Sequence, residues 1–139
     1  MADLVVTAAQ VAAVFPQEAR IRSYIAAATI TAGQAVYRNS AGKADLADAN
    51  GSGTLQFRGI ALNGGGAGQA IDVLEDGEVF GFTIAGAYDS LVYVSNTAGA
   101  LADAAGGTSI VAGRVTCLTD GSTLTKILYI SAKMNGDWA

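Results

Sequence analysis

The chain has 139 residues, of which 51% are hydrophobic and 14% charged, and its net charge is −4. That length suits one domain able to bury a core without metals or disulfides, while its eight scattered Lys and Arg exclude the continuous cationic footprint of a direct nucleic-acid partner. His is absent and Cys117 is the single cysteine, which excludes Ser-His and Cys-His nucleophile pairs, imidazole metal ligation and thiolate zinc clusters.

Residues 1–28 stand apart as an N-terminal arm or edge segment, and residues 29–139 form a β-rich domain. Met1-Ala2-Asp3 lacks a basic region and a continuous apolar core, so the chain is expected to be made in the cytoplasm. Apolar runs fall short of the ~20 residues that span a bilayer, and no membrane partner is expected. Thr7 is placed to cap a short helix over residues 8–15, with Ala8, Val11, Val14 and Phe15 at helical spacing and Pro16 as its stop. Residues 20–25 fit a strand with one wet face or a docked extended arm. Leu4, Val5, Val6, Val14 and Phe15 suit an arm that orders on a partner; an edge element on the chain's own core fits them equally.

The middle of the chain contains a unit used twice. Ala35-Val36-Tyr37 leads through Asn39 and Ser40 into Ala41-Gly42 and on to Asp48. Leu91-Val92-Tyr93 leads through Ser95, Asn96 and Thr97 into Ala98-Gly99 and on to Asp103. Val and Tyr favour a pleated, half-buried surface, and Asn, Ser and Gly turn the backbone at low steric cost, so each copy reads as a hairpin. The match extends to residues 58–62 with 112–116 and to residues 70–74 with 126–130. Two copies argue for a pseudo-symmetric single domain, since a solenoid needs at least three.

Ahead of the first hairpin residues 30–34 read as a strand end and a tight turn; between the copies residues 48–54 (DANGSGT) read as a flexible loop and residues 55–62 as a strand in which Gly59 marks a bulge or close contact. Residues 63–68, NGGGAG, lack the order, the Lys-Ser/Thr and the following helix of a phosphate loop, and read as an inter-strand connection. Glu75-Asp76-Gly77 between apolar alternations predicts a hairpin turn. In the second half Gly106-Gly107 breaks the chain, Cys117 sits in a strand as a small buried hydrophobe, and Asp120-Gly121 turns toward residues 125–132. Trp138 is expected to fold back on the body or on a neighbouring subunit.

Paired acid/base chemistry is not favoured: the carboxylates at residues 75–78 lie on a predicted turn, and Asp45 and Asp48 lack the alternation of a calcium loop. The chain is read as a non-enzyme without cofactor or metal. Low charge with 18 glycines suits a protein that places much of its surface against neighbours.

Residues 28–37 (ATITAGQAVY), 57–62 (FRGIAL) and 67–73 (AGQAIDV) carry a pattern in which an AGQ turn enters a strand, a GIAL strand follows, and a second AGQ turn enters another strand. This pattern resembles the capsid decoration, or cement, proteins of tailed bacteriophages, and the likeness covers residues 26–82. It implies an all-β, compact β-clip or β-tulip domain on the outer surface of the virion capsid. There, homotrimers would bridge neighbouring major capsid proteins so that internal DNA pressure does not open the joints. Under this reading Leu4, Val5, Val6, Val14 and Phe15 are the candidate capsid-binding residues, by strand addition from the arm. The alternatives are a trimeric tail, fibre or surface-binding module, and a small-molecule or glycan-binding β-domain using its tyrosines and Trp138.

Overall fold

The computed structural model describes residues 2–50, 54, 56–120 and 122–132, with the backbone alone at Asp120. Among these the chain is all-β. Strands β1 (Val5–Val6), β2 (Ala12–Ala13) and β3 (Arg20–Ile25) precede β4 (Ala35–Arg38), β5 (Ala44–Leu46), β6 (Phe57–Ala61), the long β7 (Ala70–Phe80) and β8 (Phe82–Thr83). The second half supplies β9 (Leu91–Val94), β10 (Leu101–Ala102), β11 (Val111–Asp120) and β12 (Thr123–Ser131). Apart from the β1–β8 pair, they join one antiparallel sheet running β10-β9-β11-β12-β7-β6-β4-β5, with β2 and β3 also on β7.

Strand β7 is the hinge of this sheet. Leu74 is paired with both Ile60 and Ile21, Asp76 with both Ser131 and Arg20, and Val79 with both Leu128 and Ala13. Hence β6 and β12 follow one another along one edge of β7, and β3 and β2 along the other. The sheet curls where β6 and β12 diverge, and the main core fills the space between them. Phe57, Ile60 and Leu74 from one side meet Val92, Val115, Leu128 and Ile130 from the other.

The repeated unit is a structural repeat. In both copies the hairpin closes, β4 on β5 and β9 on β10, and the next long strand pairs with the first strand of the hairpin. The ladders match in detail. Val36 faces Gly59 and Tyr37 faces Phe57, with a shift between; Val92 faces Gly113 and Tyr93 faces Val111, with the same shift. The bulge needs glycine in each copy, because a Cβ would stand 2.3 Å from the Leu74 carbonyl oxygen at Gly59 and 1.7 Å from that of Tyr129 at Gly113. The same ladders correct the match of residues 70–74 with 126–130 by one position: Ile60 pairs with Leu74 and Arg114 with Tyr129, so Leu74 corresponds to Tyr129.

The two copies face the same way. Val36, Ala44, Ala61 and Val73 of the first look into a smaller core closed by Tyr24, Ala26 and Ile30. Their counterparts Val92, Leu101, Val115 and Leu128 look into the main core. Ala35, Phe57, Ile60 and Leu74, on the opposite face of the first copy, also enter the main core. The first copy is therefore buried on both faces, which explains its nearly unbroken apolar strands.

Three expectations fail for physical reasons. The helix over residues 8–15 is a single 3₁₀ turn, Ala8–Gln10, with no side-chain bond from Thr7, and Val11 is already extended. Two turns of helix are marginal alone, whereas the β7 edge offers ladder bonds to Ala12 and Ala13. Glu75-Asp76-Gly77 does not turn; β7 runs through it, and Glu75 is the extra residue of a bulge between the Arg20–Asp76 and Ile21–Leu74 pairs. Gly77 adopts φ +144° there, packed on Ala19. Cys117 is exposed, not buried, because β9 reaches only Val111–Arg114 of β11 and β7 only residues 128–131 of β12, leaving the rest of that hairpin paired with itself. The turn at Gly121, the loop at residues 51–53 and Trp138 lie outside the described residues.

Candidate partner-binding surface

The N-terminal residues are laid along the chain's own sheet. The Ala2 amide donates to Asp103, the Leu4 amide to the Leu101 carbonyl, and β1 pairs Val5 with Thr83 and Val6 with Phe82. Ser95 Oγ donates to Asp3 Oδ1. The Thr7 amide then donates to Gly81, Ala12 and Ala13 pair with Phe80 and Val79, and the Val14 amide donates to Glu78 at 2.9 Å. Residues 5–25 thus follow residues 83–70 in antiparallel sense, pairing at Val5–Val6, Ala12–Ala13 and Arg20–Ile25 and covering an edge that would otherwise be open.

The five residues expected to make a contact divide into two groups. Leu4 is half-buried against the main core, while Val5 is 64% and Val6 36% exposed. Val6 sits over Gly33, where a Cβ would meet it at 2.4 Å. Val14 is half-buried, and Phe15 is 42% exposed beside a 140 Å³ pocket with Asp76, Gly77, Glu78 and Tyr129. The 3₁₀ turn and β2 lie between the groups; Leu4 lines one pocket and Phe15 another.

Beneath this surface β3 is tied to β7 by a buried charge. The Glu75 side chain is fully enclosed; Arg20 Nε stands 2.9 Å from its Oε1, and the Tyr24 hydroxyl donates to its Oε2 at 2.6 Å. Oε1 receives no directed hydrogen bond, so the Arg20 contact is charge pairing. Burial, and then Glu75, push the Tyr24 hydroxyl above its ordinary pKa. The Arg38 guanidinium lies 4.4 Å from the Tyr24 ring centre.

Both AGQ turns prove to be the same construction. In residues 31–34 the Gln34 amide donates to the Thr31 carbonyl, the Thr31 amide donates to Gln34 Oε1 at 2.9 Å, and Gly33 has φ +91°. In residues 66–69 the Gln69 amide donates to Gly66, the Gly66 amide donates to Gln69 Oε1 at 2.6 Å, and Gly68 has φ +85°. Positive φ at the third turn residue calls for glycine, and the Gln side chain closes the ring from outside. The NGGGAG segment is spent on this turn and on the Ile30–Gly65 bridge, and a strand follows it.

A surface that sequence reasoning missed lies on the second repeat. Leu91, Val111, Arg114 and Tyr129 line an open groove of about 430 Å³ with Ser131 and Ala132. Arg114 donates to the Asp89 carbonyl at 2.7 Å, and the Tyr129 hydroxyl to Asp76 at 2.9 Å. That bond, followed by burial, pushes the Tyr129 hydroxyl up. The available signal was the correspondence of Leu91 with Ala35, which becomes informative once the facing direction of each copy is known. Among the described residues no cluster of three or more His, Cys, Asp or Glu is placed to hold a metal, and no helix is long and apolar enough to cross a membrane. Comparison of the chain with protein-family models, with curated proteins and with solved structures returns no match.

Proposed function

We propose that this chain is a structural protein of a tailed-bacteriophage virion, which binds the outside of the icosahedral capsid and bridges neighbouring major capsid proteins, acting as a homotrimer. The observation that carries the reading is the pair of AGQ turns around the GIAL strand. The motifs behind the resemblance to decoration proteins are closed by identical hydrogen bonds and feed β4 and β7, which both pair with β6.

Such a role needs no catalytic group. It needs a rigid body with backbone donors and apolar side chains facing a neighbour, so that strain at a capsid joint is shared by a second set of contacts. Strand β1 is partnered on one edge by β8, and Val5 and Phe15 project outward. A segment of the capsid protein packs there on Val5 and Val6, with Leu4, Val14 and Phe15 flanking the contact. Because residues 2–15 also seal the β7 edge, point substitutions test the contact better than deletion does.

The test is the rupture temperature of DNA-filled heads that lack the protein. Adding the folded chain in excess should raise that temperature, and Val5→Asp with Phe15→Asp should weaken the protection while leaving the isolated protein folded. Heads that rupture at an unchanged temperature under saturating protein would remove the proposal.

A further inference from the structure

The two repeats stack in one sense, back of the first against front of the second. Four residues on the back of the first, Ala35, Phe57, Ile60 and Leu74, are closed over by the second repeat and lie in the main core. Their register counterparts on the second repeat are Leu91, Val111, Arg114 and Tyr129, and all four line the open groove. At the other end of the stack the front of the first repeat is capped by Tyr24, Ala26 and Ile30. Among the described residues the stack is capped at one end and open at the other, although stacked repeats require a covered or polar face at each terminus.

We infer that the outward face of the second repeat is where one copy of this chain packs against another. It is a two-fold contact, separate from the three-fold contacts of the homotrimer above, and does not depend on capsid binding. The internal interface already shows what this kind of face accepts, an apolar β-layer such as Val92, Val115 and Leu128. The rim carries both signs. Arg114 on β11 and Glu78 on β7 both pair with Tyr129 of β12, hence they stand about 10 Å apart at ordinary strand spacing, with Asp76 two residues along β7 from Glu78. A patch with an apolar centre and opposite charges at its two margins is complementary to itself, as a two-fold contact between identical subunits requires. The repeat supplies a reason for the substitutions as well: where Ile60 is enclosed within the chain, its counterpart is Arg114, whose side chain is 52% exposed and paired with Asp89 at 3.8 Å.

The test is the mass of the full chain by sedimentation velocity over a range of concentrations, with Tyr129→Lys, Leu91→Lys and, on the distant ribbon, Leu124→Lys. Tyr129 is 38% and Leu124 56% exposed, so these two should fold; circular dichroism and a cooperative unfolding transition verify each variant. The wild type and Leu124→Lys should form the same oligomer. Tyr129→Lys and Leu91→Lys should weaken its association by about tenfold or more. A wild type that is monomeric at every concentration, or an oligomer that Tyr129→Lys leaves intact, overturns the inference. A monomer that still binds capsids overturns it while sparing the capsid reading; an oligomer broken by Tyr129→Lys that binds no capsid supports it while removing that reading.

Discussion

Replacing Arg20 with Met removes the charge facing Glu75 and keeps an apolar stem over β3. At 2.9 Å and an effective dielectric near 20, a unit ion pair is worth about 5–6 kcal/mol before hydration is counted. The Arg20 side chain is 55% exposed while that of Glu75 is 0% exposed. Water therefore recovers much of the interaction on the arginine side, and the Tyr24 hydroxyl still serves Oε2. These corrections bring the expected loss to about 2 kcal/mol, below the ~3–5 kcal/mol of a fully buried pair. For a chain of this length that is a fall of about 6–10 °C in Tm. Urea unfolding, with an unchanged m-value, measures it. Adding Glu75→Gln to the Arg20→Met background should return part of the loss, because the stranded charge is then gone. A cost under about 0.5 kcal/mol for Arg20→Met, or strictly additive costs, would refute the idea that this pair fastens β3 to the bulge in β7.

Gly59→Ala and Gly113→Ala should each cost more than about 2 kcal/mol, since the new Cβ meets a backbone carbonyl that cannot withdraw; Gly42→Ala, at φ +83° with open space around it, should cost only ~1 kcal/mol. Chemical denaturation of the three variants checks the ordering. The raised Tyr24 pKa means that the fold favours the neutral phenol. Its contribution is therefore complete below the ordinary tyrosine value of 10.0 and is lost as pH rises through the higher folded value. Unfolding free energy followed into the alkaline range should fall less steeply in Tyr24→Phe, with a remaining slope from Tyr37 and Tyr129, which are also raised. Cys117 should react stoichiometrically with a thiol reagent in the native protein; reaction only after unfolding would show that the ribbon is covered.

Much of the sheet was legible because its signals are local. Hairpins at Asn39–Gly42 and Asn96–Gly99 follow from turn residues between β-branched and aromatic neighbours, and Gly59 announced its close contact by standing inside an apolar strand. The failures share one cause, tertiary competition for the same residues. Asp76-Gly77 has the composition of a turn, yet a bulge also uses a glycine at positive φ, and buried Glu75 with Arg20 and Tyr24 decides between them. Thr7 looks like a cap, yet the unfilled β7 edge claims the residues behind it. Cys117 looks buried by type, but the length by which β11 and β12 outrun β9 and β7 is a property of the whole sheet. The groove was hidden for the same reason. Leu91, Val111 and Tyr129 are ordinary strand residues until the facing direction of both repeats is known.

The claim that this chain cements a capsid is tested most directly by mixing purified protein with expanded shells lacking it and with immature procapsids, then counting bound copies after sedimentation. The account predicts saturable binding to expanded shells, in multiples of three copies per icosahedral facet, and weaker binding to procapsids. Folded protein that stays in the supernatant with both shells would contradict it.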